Sequence, residues 1–514
     1  MEKEISSLKV KGSCLLAAFV FITICSKSSF IYPLNDWGDA HCYFTIGRGI
    51  INGMVPYRDL FEQKGVFIFF IYAIAALISS TSFIGVYFIE IICAAVYLYY
   101  TLKTAALFMD ISKYRLGLTF FLAACVYSSA SFCHGGSVEE IFTPIFVYGV
   151  YLCVRQFEKH IIPNAKEMIA FGIGSAVIFY TKYTLCIFII SLILFMLIEA
   201  KKSNYLSLLL RQAIFFVIPC IIVTVIVMIY FLCNGALGDF YQHYVYDNLF
   251  RYSPDKTAYS TNEKIGLALK AIGIFFRKRN VISIFIIFAG MAWLIGKRKY
   301  LLFLCHLFSF ILLFYIQFFI ASPQKYYGFP LVSLSAVGLC CIVEFFENRN
   351  FSNKRVINVA SIAISIIIAI VFTDNRYFMF KDKSETPQYI FAEKMESYNY
   401  DDYHLLYYGA LDEGYYFASG TLPNCRAFNQ NNLLVDNYRI DIQNEYIKDK
   451  KVEFIVTKSI LCDTKDYDAC VEKYGSESSD YIVTFDDFGY ELVAEKENYY
   501  EQNIYLNKLY KIID

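Results

Sequence analysis

The stretch that decides the reading is Asn35-Asp36-Trp37-Gly38-Asp39-Ala40-His41-Cys42-Tyr43, continuing to Gly53-Met54-Val55-Pro56-Tyr57-Arg58-Asp59-Leu60-Phe61-Glu62-Gln63-Lys64-Gly65. It follows a first apolar run, and it is dense in ionisable and aromatic side chains. Residues 39–52 fit a short helix with Asp39 near its N-terminus, where the helix dipole favours a carboxylate. Gly53 ends that helix, and Pro56-Tyr57 opens a turn. On composition alone, the stretch also reads as a solvated loop with interfacial Trp and Tyr anchors.

The chain around it belongs to a membrane. Of its 514 residues, 57% are hydrophobic, 18% aromatic and 18% charged, with mean hydropathy +0.45. Soluble chains carry roughly 25% charged residues. This balance excludes a soluble enzyme, a disordered protein and an ordinary nucleic-acid binder. Apolar blocks of about twenty residues match a hydrocarbon core of ~30 Å. The expected spans are 12–32, 83–102, 115–132, 138–157, 166–181, 183–200, 206–233, 281–296, 299–320, 326–346 and 354–373. The run 65–81 is short for a span and follows a polar loop.

Lysine and arginine arbitrate the topology. If 65–81 does not cross, the cytoplasmic connections carry fifteen basic residues: Lys103, Lys113, Arg115, Arg155, Lys159, Lys166, Lys201, Lys202, Arg211, Lys297, Arg298, Lys299, Arg349, Lys354 and Arg355. The short outer connections carry two, Lys182 and Lys325. Arg277, Lys278 and Arg279 lie in a long outer loop, where the rule is weaker. The expectation is therefore eleven spans, an interfacial or re-entrant helix at 65–81, and loops 33–82, 133–137 and 234–280 on the outer face. The alternative is twelve spans with the C-terminal tail inside. The run Leu15 to Ile24 lacks a small-x-small cleavage site and reads as an uncleaved first span with its N-terminus in the cytoplasm.

A net charge of zero hides a division. Residues 374–514 hold 27 acidic and 15 basic side chains, so an acidic tail follows a basic membrane body at 1–373. The tail argues against nucleic acid or anionic lipid as a partner. Its runs Leu405-Leu406-Tyr407-Tyr408 and Phe454-Ile455-Val456-Thr457 read as strands of a small extracytoplasmic α/β domain. Gly409, Gly414 and Gly420 do not form a GxGxxG loop, so no nucleotide site is indicated. Thirteen of sixteen cysteines precede residue 374, mostly in apolar runs, where they read as small hydrophobes. In an exported tail, Cys462 and Cys470 are a candidate pair.

Asp39-x3-Tyr43, Gly53-x2-Pro56-Tyr57-Arg58-Asp59 and then Lys64-Gly65 opening an apolar helix resemble the first outer loop of the GT-C glycosyltransferases. The likeness is to the protein O-mannosyltransferase and aminoarabinose-transferase types and to bacterial membrane proteins of cell-surface polysaccharide synthesis. Where those have Lys-Pro or Lys-Gly-Pro, this chain has Lys64-Gly65-Val66. The resemblance continues through Gly135-Gly136-Ser137-Val138-Glu139-Glu140, Gly172-x-Gly174 with Thr181-Lys182, and Gln324-Lys325-Tyr326-Tyr327.

The resemblance implies a GT-C-like polytopic helical fold and an inverting transfer of sugar from a polyprenyl phosphate to an acceptor outside the membrane. That chemistry needs a carboxylate for the acceptor hydroxyl, cations for the departing phosphate and a groove for the isoprenoid. The resemblance makes Asp39 the base, with Asp36 as runner-up. Glu139 and Glu140 supply a second carboxylate, either of which could face the cavity. Lys64 is the phosphate ligand, with Arg58 and Lys182 assisting. Tyr43, Tyr57, Tyr326 and Tyr327 are candidate substrate contacts. So are His243 and Asn248 in the aromatic loop 239–251, whose simpler reading is a surface amphipathic helix. The implied partners are the polyprenyl phosphate lipid and a sugar acceptor. Nothing in the sequence points to a soluble cofactor, and a divalent metal at the carboxylates is left open. The competing readings are a lipid-linked polysaccharide polymerase or flippase and a secondary transporter. A transporter should carry ionisable residues mid-span and an internal repeat. Glu90 is the only acid well inside a span, and no period recurs.

Overall fold

The computed structural model describes residues 8–251, 260–276, 278–320, 324–349, 353–429, 438–461, 485–500 and 503–513. Cys462, Cys470 and Arg277 lie outside these. The helices, in chain order, are α1 Leu8–Cys25, α2 Gly38–Ile51, α3 Val66–Ile78, α4 Ile84–Ala105, α5 Arg115–Tyr127, α6 Val138–Ile141, α7 Thr143–Lys159, α8 Ala165–Lys182, α9 Cys186–Lys202 and α10 Leu206–Cys233. They continue with α11 Leu237–Phe240, α12 Thr261–Phe275, α13 Val281–Gly296, α14 Tyr300–Tyr315, α15 Ala336–Asn348, α16 Lys354–Phe372, α17 Pro387–Glu396, α18 Tyr415–Ala418 and α19 Tyr438–Lys448. Among the described residues, four strands follow in the tail: β1 Leu405–Tyr407, β2 Phe454–Leu461, β3 Tyr490–Tyr500 and β4 Asn503–Ile512.

Each expected span carries a helix. Among the described residues, six helices are by length and composition long and apolar enough to cross a membrane, or seven if the pair Lys325–Leu334 and α15, bent by 60°, counts as one span. Ala165–Lys202 is 38 residues of nearly continuous helix, about 57 Å at 1.5 Å per residue, nearly twice a hydrocarbon core. It breaks at Tyr180 (φ −88°, ψ 21°) and Lys182 (φ −152°, ψ 87°), where the sequence predicts one span to end and the next to begin. Three other expected spans are shorter helices: α5, of 13 residues, α7, of 17, and α13, of 16. Helix α3 has 13 residues, about 20 Å, which falls short of a perpendicular crossing.

The chain forms two compact units. The first comprises Met1–Tyr32, Val86–Ile229 and Asp255–Met379, and holds most of the apolar helices. Close helix packing there relies on small residues, as expected where lipid supplies no hydrophobic drive between helices. A Cβ on Gly290 of α13 would stand 2.6 Å from the backbone nitrogen of Gly338 on α15. Helix α16 docks on α5 through Asn358, whose Oδ1 accepts from Gly117 N at 2.7 Å and whose amide donates to Lys113 O at 2.9 Å. Along α10, Ile218, Ile221, Ile222, Val225, Ile226 and Ile229 are exposed. An apolar face of this kind suits lipid contact.

The second unit comprises Pro33–Gly85, Tyr230–Pro254 and Phe380–Asp514. Its sheet runs β1-β2-β4-β3, with β1 parallel to β2 and the other pairs antiparallel. Its core joins Phe61 of the first loop to Leu406, Tyr408, Ala427, Ile447, Val452 and Ile455 of the tail. The first loop and the tail thus fold as one body. Phe61 N donates to Arg426 O at 2.7 Å. The Arg48 guanidinium donates to the carbonyls of Tyr416 (2.9 Å) and Gly420 (2.5 Å). Helix α2 packs on α3 at Gly47, where a Cβ would meet Tyr72 C and Ala73 N at 2.7 Å.

Candidate functional site

In the second unit, Asp39 lies in the first turn of α2, half-buried. One helical turn on, the buried Tyr43 donates its hydroxyl to Asp39 Oδ2 at 3.4 Å. The chain enters α2 through Asn35, whose side-chain oxygen accepts from Trp37 N at 3.3 Å. Burial holds the His41 imidazole down to about 3, against which Asn35 and Asp36 pull only weakly. His41 is therefore neutral, set against Phe83 and Phe417 with ring centroids at 4.9 and 5.5 Å. The tail meets this helix too. Asp412 accepts from Thr45 Oγ1 at 2.7 Å, and burial raises its carboxyl to about 6.

Lys64 stands at the entrance to α3, and three neighbours fix its backbone. Tyr57, buried and at φ +70°, donates its hydroxyl to Lys64 O at 2.6 Å. The buried Glu62 accepts from Gln63 N at 2.8 Å and Lys64 N at 3.3 Å. Asn248 donates to Gln63 O at 2.6 Å. Tyr57 and Asn248, both candidate substrate contacts, thus hold the lysine's chain in place. Arg58 grips Asp59 with two bonds of 2.8 Å and donates to Asn234 O at 2.9 Å. The Arg58 bonds hold the Asp59 carboxyl below the usual carboxylate range.

Residues Tyr241–Arg251 form a π-helical segment. His243 in it is 2% exposed, a position the surface-helix reading did not anticipate. Its Nδ1 lies 3.1 Å from Asp247 Oδ2, and its ring is 4.1 Å from Phe61. Burial lowers His243 from its ordinary value, more strongly than its hydrogen bond to Asp247 raises it.

In the first unit, the two adjacent acids separate in role. Ser137 caps α6, its Oγ accepting from Glu140 N at 3.1 Å. The buried Glu139 forms an ion pair with the half-buried Lys182, and the Lys182 ammonium stands 3.7 Å from the centre of the Tyr327 ring. Glu140 turns the other way and accepts from Gly136 N at 2.8 Å. The helix break at Tyr180–Lys182 brings the ammonium to Glu139. Tyr326 is half-buried beside Tyr327, ring centroids 4.9 Å apart.

The residues picked out by sequence therefore divide between the units. Asp36, Asp39, Tyr43, Tyr57, Arg58, Lys64, His243 and Asn248 belong to one; Glu139, Glu140, Lys182, Tyr326 and Tyr327 to the other. Sequence reasoning passed over Glu62 and Asp412 and gave Glu90 no role. Glu90 carried a signal, as the one acid well inside a span. Asp412 carried none, because its partner Thr45 is 367 positions away. Among the described residues, no group of three or more His, Cys, Asp or Glu is arranged to hold a metal.

A polytopic helical body, a short helical pair after the first span and a sheet-bearing tail make up a GT-C-like fold. Two solved structures share it with this chain. ArnT from Cupriavidus metallidurans bound to undecaprenyl phosphate superposes with a TM-score of 0.55 at 10% identity, over 96% of each chain. The apo state of the same protein gives 0.53 at 8%, again over 96% of each. No family model matches the sequence, and no curated protein matches it.

Proposed function

We propose that this chain is an integral-membrane glycosyltransferase that moves a sugar from a polyprenyl-phosphate donor to an acceptor on the outer face of the cytoplasmic membrane. The observation that carries this reading is the fold shared, over 96% of both chains, with a protein solved with undecaprenyl phosphate bound. Asp39 takes the proton of the acceptor hydroxyl. The acceptor oxygen forms the new bond to the anomeric carbon with inversion, and the bond to the phosphate oxygen breaks. Lys64 carries the charge of the departing polyprenyl phosphate. The Tyr43 hydroxyl on Asp39 orients the carboxylate, and the braced backbone of Gln63-Lys64 supports a preset ammonium. Glu139, held by Lys182, serves the sugar or the acceptor. The basic connections set the N-terminus in the cytoplasm and the tail 374–514 outside.

The test is transfer in proteoliposomes supplied with polyprenyl-phosphate sugars and cell-envelope acceptors. Asp39→Asn should lose about 100-fold or more in kcat, the scale of general-base catalysis, while inserting normally into membranes. Full activity in that variant removes Asp39 as the base.

A further inference from the structure

Glu90, on α4, is fully buried, and Glu140, at the start of α6, is 2% exposed. Neither takes part in the chemistry proposed for Asp39 and Lys64. The Ser26 hydroxyl donates to Glu90 and stands 2.9 Å from each of its oxygens. Gly136 N donates to Glu140 Oε2 at 2.8 Å. Both carboxyl groups lie at the Gly135-Gly136 turn, where a Cβ on Gly135 would overlap Glu90 Oε1. Among the described residues, Glu140 Oε1 meets no N–H or O–H donor.

Two bare carboxylates do not remain in contact in a water-free site, because like charges there are poorly screened. A buried acceptor without a donor is equally costly. One hydrogen placed between the two groups removes both penalties. The titratable neighbours are Tyr87 and Cys93 on α4 and Tyr127 on α5. Lys27, next in sequence to Ser26, has its ammonium 3.9 Å from the centre of the Phe378 ring.

We propose that Glu90 and Glu140 hold a single proton between them, and that this protonated pair makes Glu90 a positioning residue for Glu139. The pair closes over the turn that leads into α6. Gly135 in that turn sits at φ +89°, and a Cβ there would overlap both Ser26 Oγ and the Glu90 carboxylate. Glu140 is thus pinned through its side chain and the Gly136 N–H, and the peptide it shares with Glu139 is pinned with it. Glu139 is then presented to Lys182 in one direction.

Two measurements on the purified full chain test this. The first is the infrared difference spectrum of the wild type against Glu90→Gln at neutral pH. It should contain the C=O stretch of one protonated carboxylic acid; its absence overturns the proposal. The second rests on the proposed transferase activity. Glu90→Gln keeps an N–H where the shared proton stood and should transfer sugar at close to the wild-type rate. Glu90→Ala should lose about 100-fold in kcat, the scale of an ångström-sized misplacement, with donor KM unchanged. A Glu90→Gln variant as impaired as Glu90→Ala means the site needs an anion, and the proposal fails. If the wild type transfers no sugar at all, the transferase reading fails while the infrared result still decides the shared proton.

Discussion

Thr45, on the helix that carries Asp39, donates its hydroxyl to Asp412 of the tail at 2.7 Å, across 367 positions of sequence. Asp412 is fully buried, and burial raises its carboxyl from 3.8 to about 6. Between those values the folded protein binds more protons at this site than the unfolded chain. Stability from this group is therefore greatest below pH 4 and falls as pH rises towards 6, by at most about 1.4 kcal/mol per pH unit. Asp412→Asn should flatten that fall. Thermal unfolding midpoints in detergent across pH 4 to 7 check it; an unchanged slope in the variant assigns the dependence elsewhere.

Lys64→Ala should weaken the donor more than the turnover. A charge-assisted bond is worth about 1.5–3 kcal/mol, so donor KM should rise roughly 10- to 100-fold. Tyr57→Phe, which removes only the hydroxyl on Lys64 O, should raise it several-fold at most. Steady-state kinetics over donor concentration separate the two. An unchanged donor KM in Lys64→Ala counts against the phosphate role.

The Glu139–Lys182 pair is buried at Glu139 and largely enclosed at Lys182, with side chains 2% and 14% exposed. Removing one partner of such a pair costs about 3–5 kcal/mol, because the other charge is stranded. Glu139→Gln and Lys182→Met should each lower the unfolding midpoint sharply, and the double variant should recover part of the loss. Strictly additive losses would mean that the two side chains act independently.

Gly135 and Gly420 both sit in the left-handed region, at φ +89° and +74°, but only Gly135 lacks room for a Cβ. Alanine at Gly420 should cost about 1 kcal/mol of backbone strain. Alanine at Gly135 should cost clearly more, through overlap with Ser26 and Glu90. Equal unfolding midpoints for the two variants would contradict the tight packing of this turn.

The orientation is open to protease shaving of intact spheroplasts that carry a C-terminal epitope. The charge-derived topology expects the tail to be cut from outside. A tail protected until lysis would mean that 65–81 crosses the membrane and that every later connection is inverted.

The sequence by itself determined the membrane class, the positions of the apolar helices and the short helix of the first loop. These are local properties. Twenty apolar residues span a bilayer whatever surrounds them, and Gly53, at φ +86°, takes the left-handed conformation that commonly closes a helix. The motif around Asp39 and Lys64 was legible for the same reason, since its residues lie within thirty positions of each other. Tertiary structure decided what those side chains touch. It turned Glu139 to Lys182 and Glu140 to Glu90, assigned Tyr57 and Asn248 to the backbone beneath Lys64, and joined the tail to the first loop through Thr45 and Asp412. Adjacent residues such as Glu139 and Glu140 are indistinguishable in a pattern. A helix sets successive side chains about 100° apart, so only the packed neighbours determine which carboxylate meets a cation and which meets another acid.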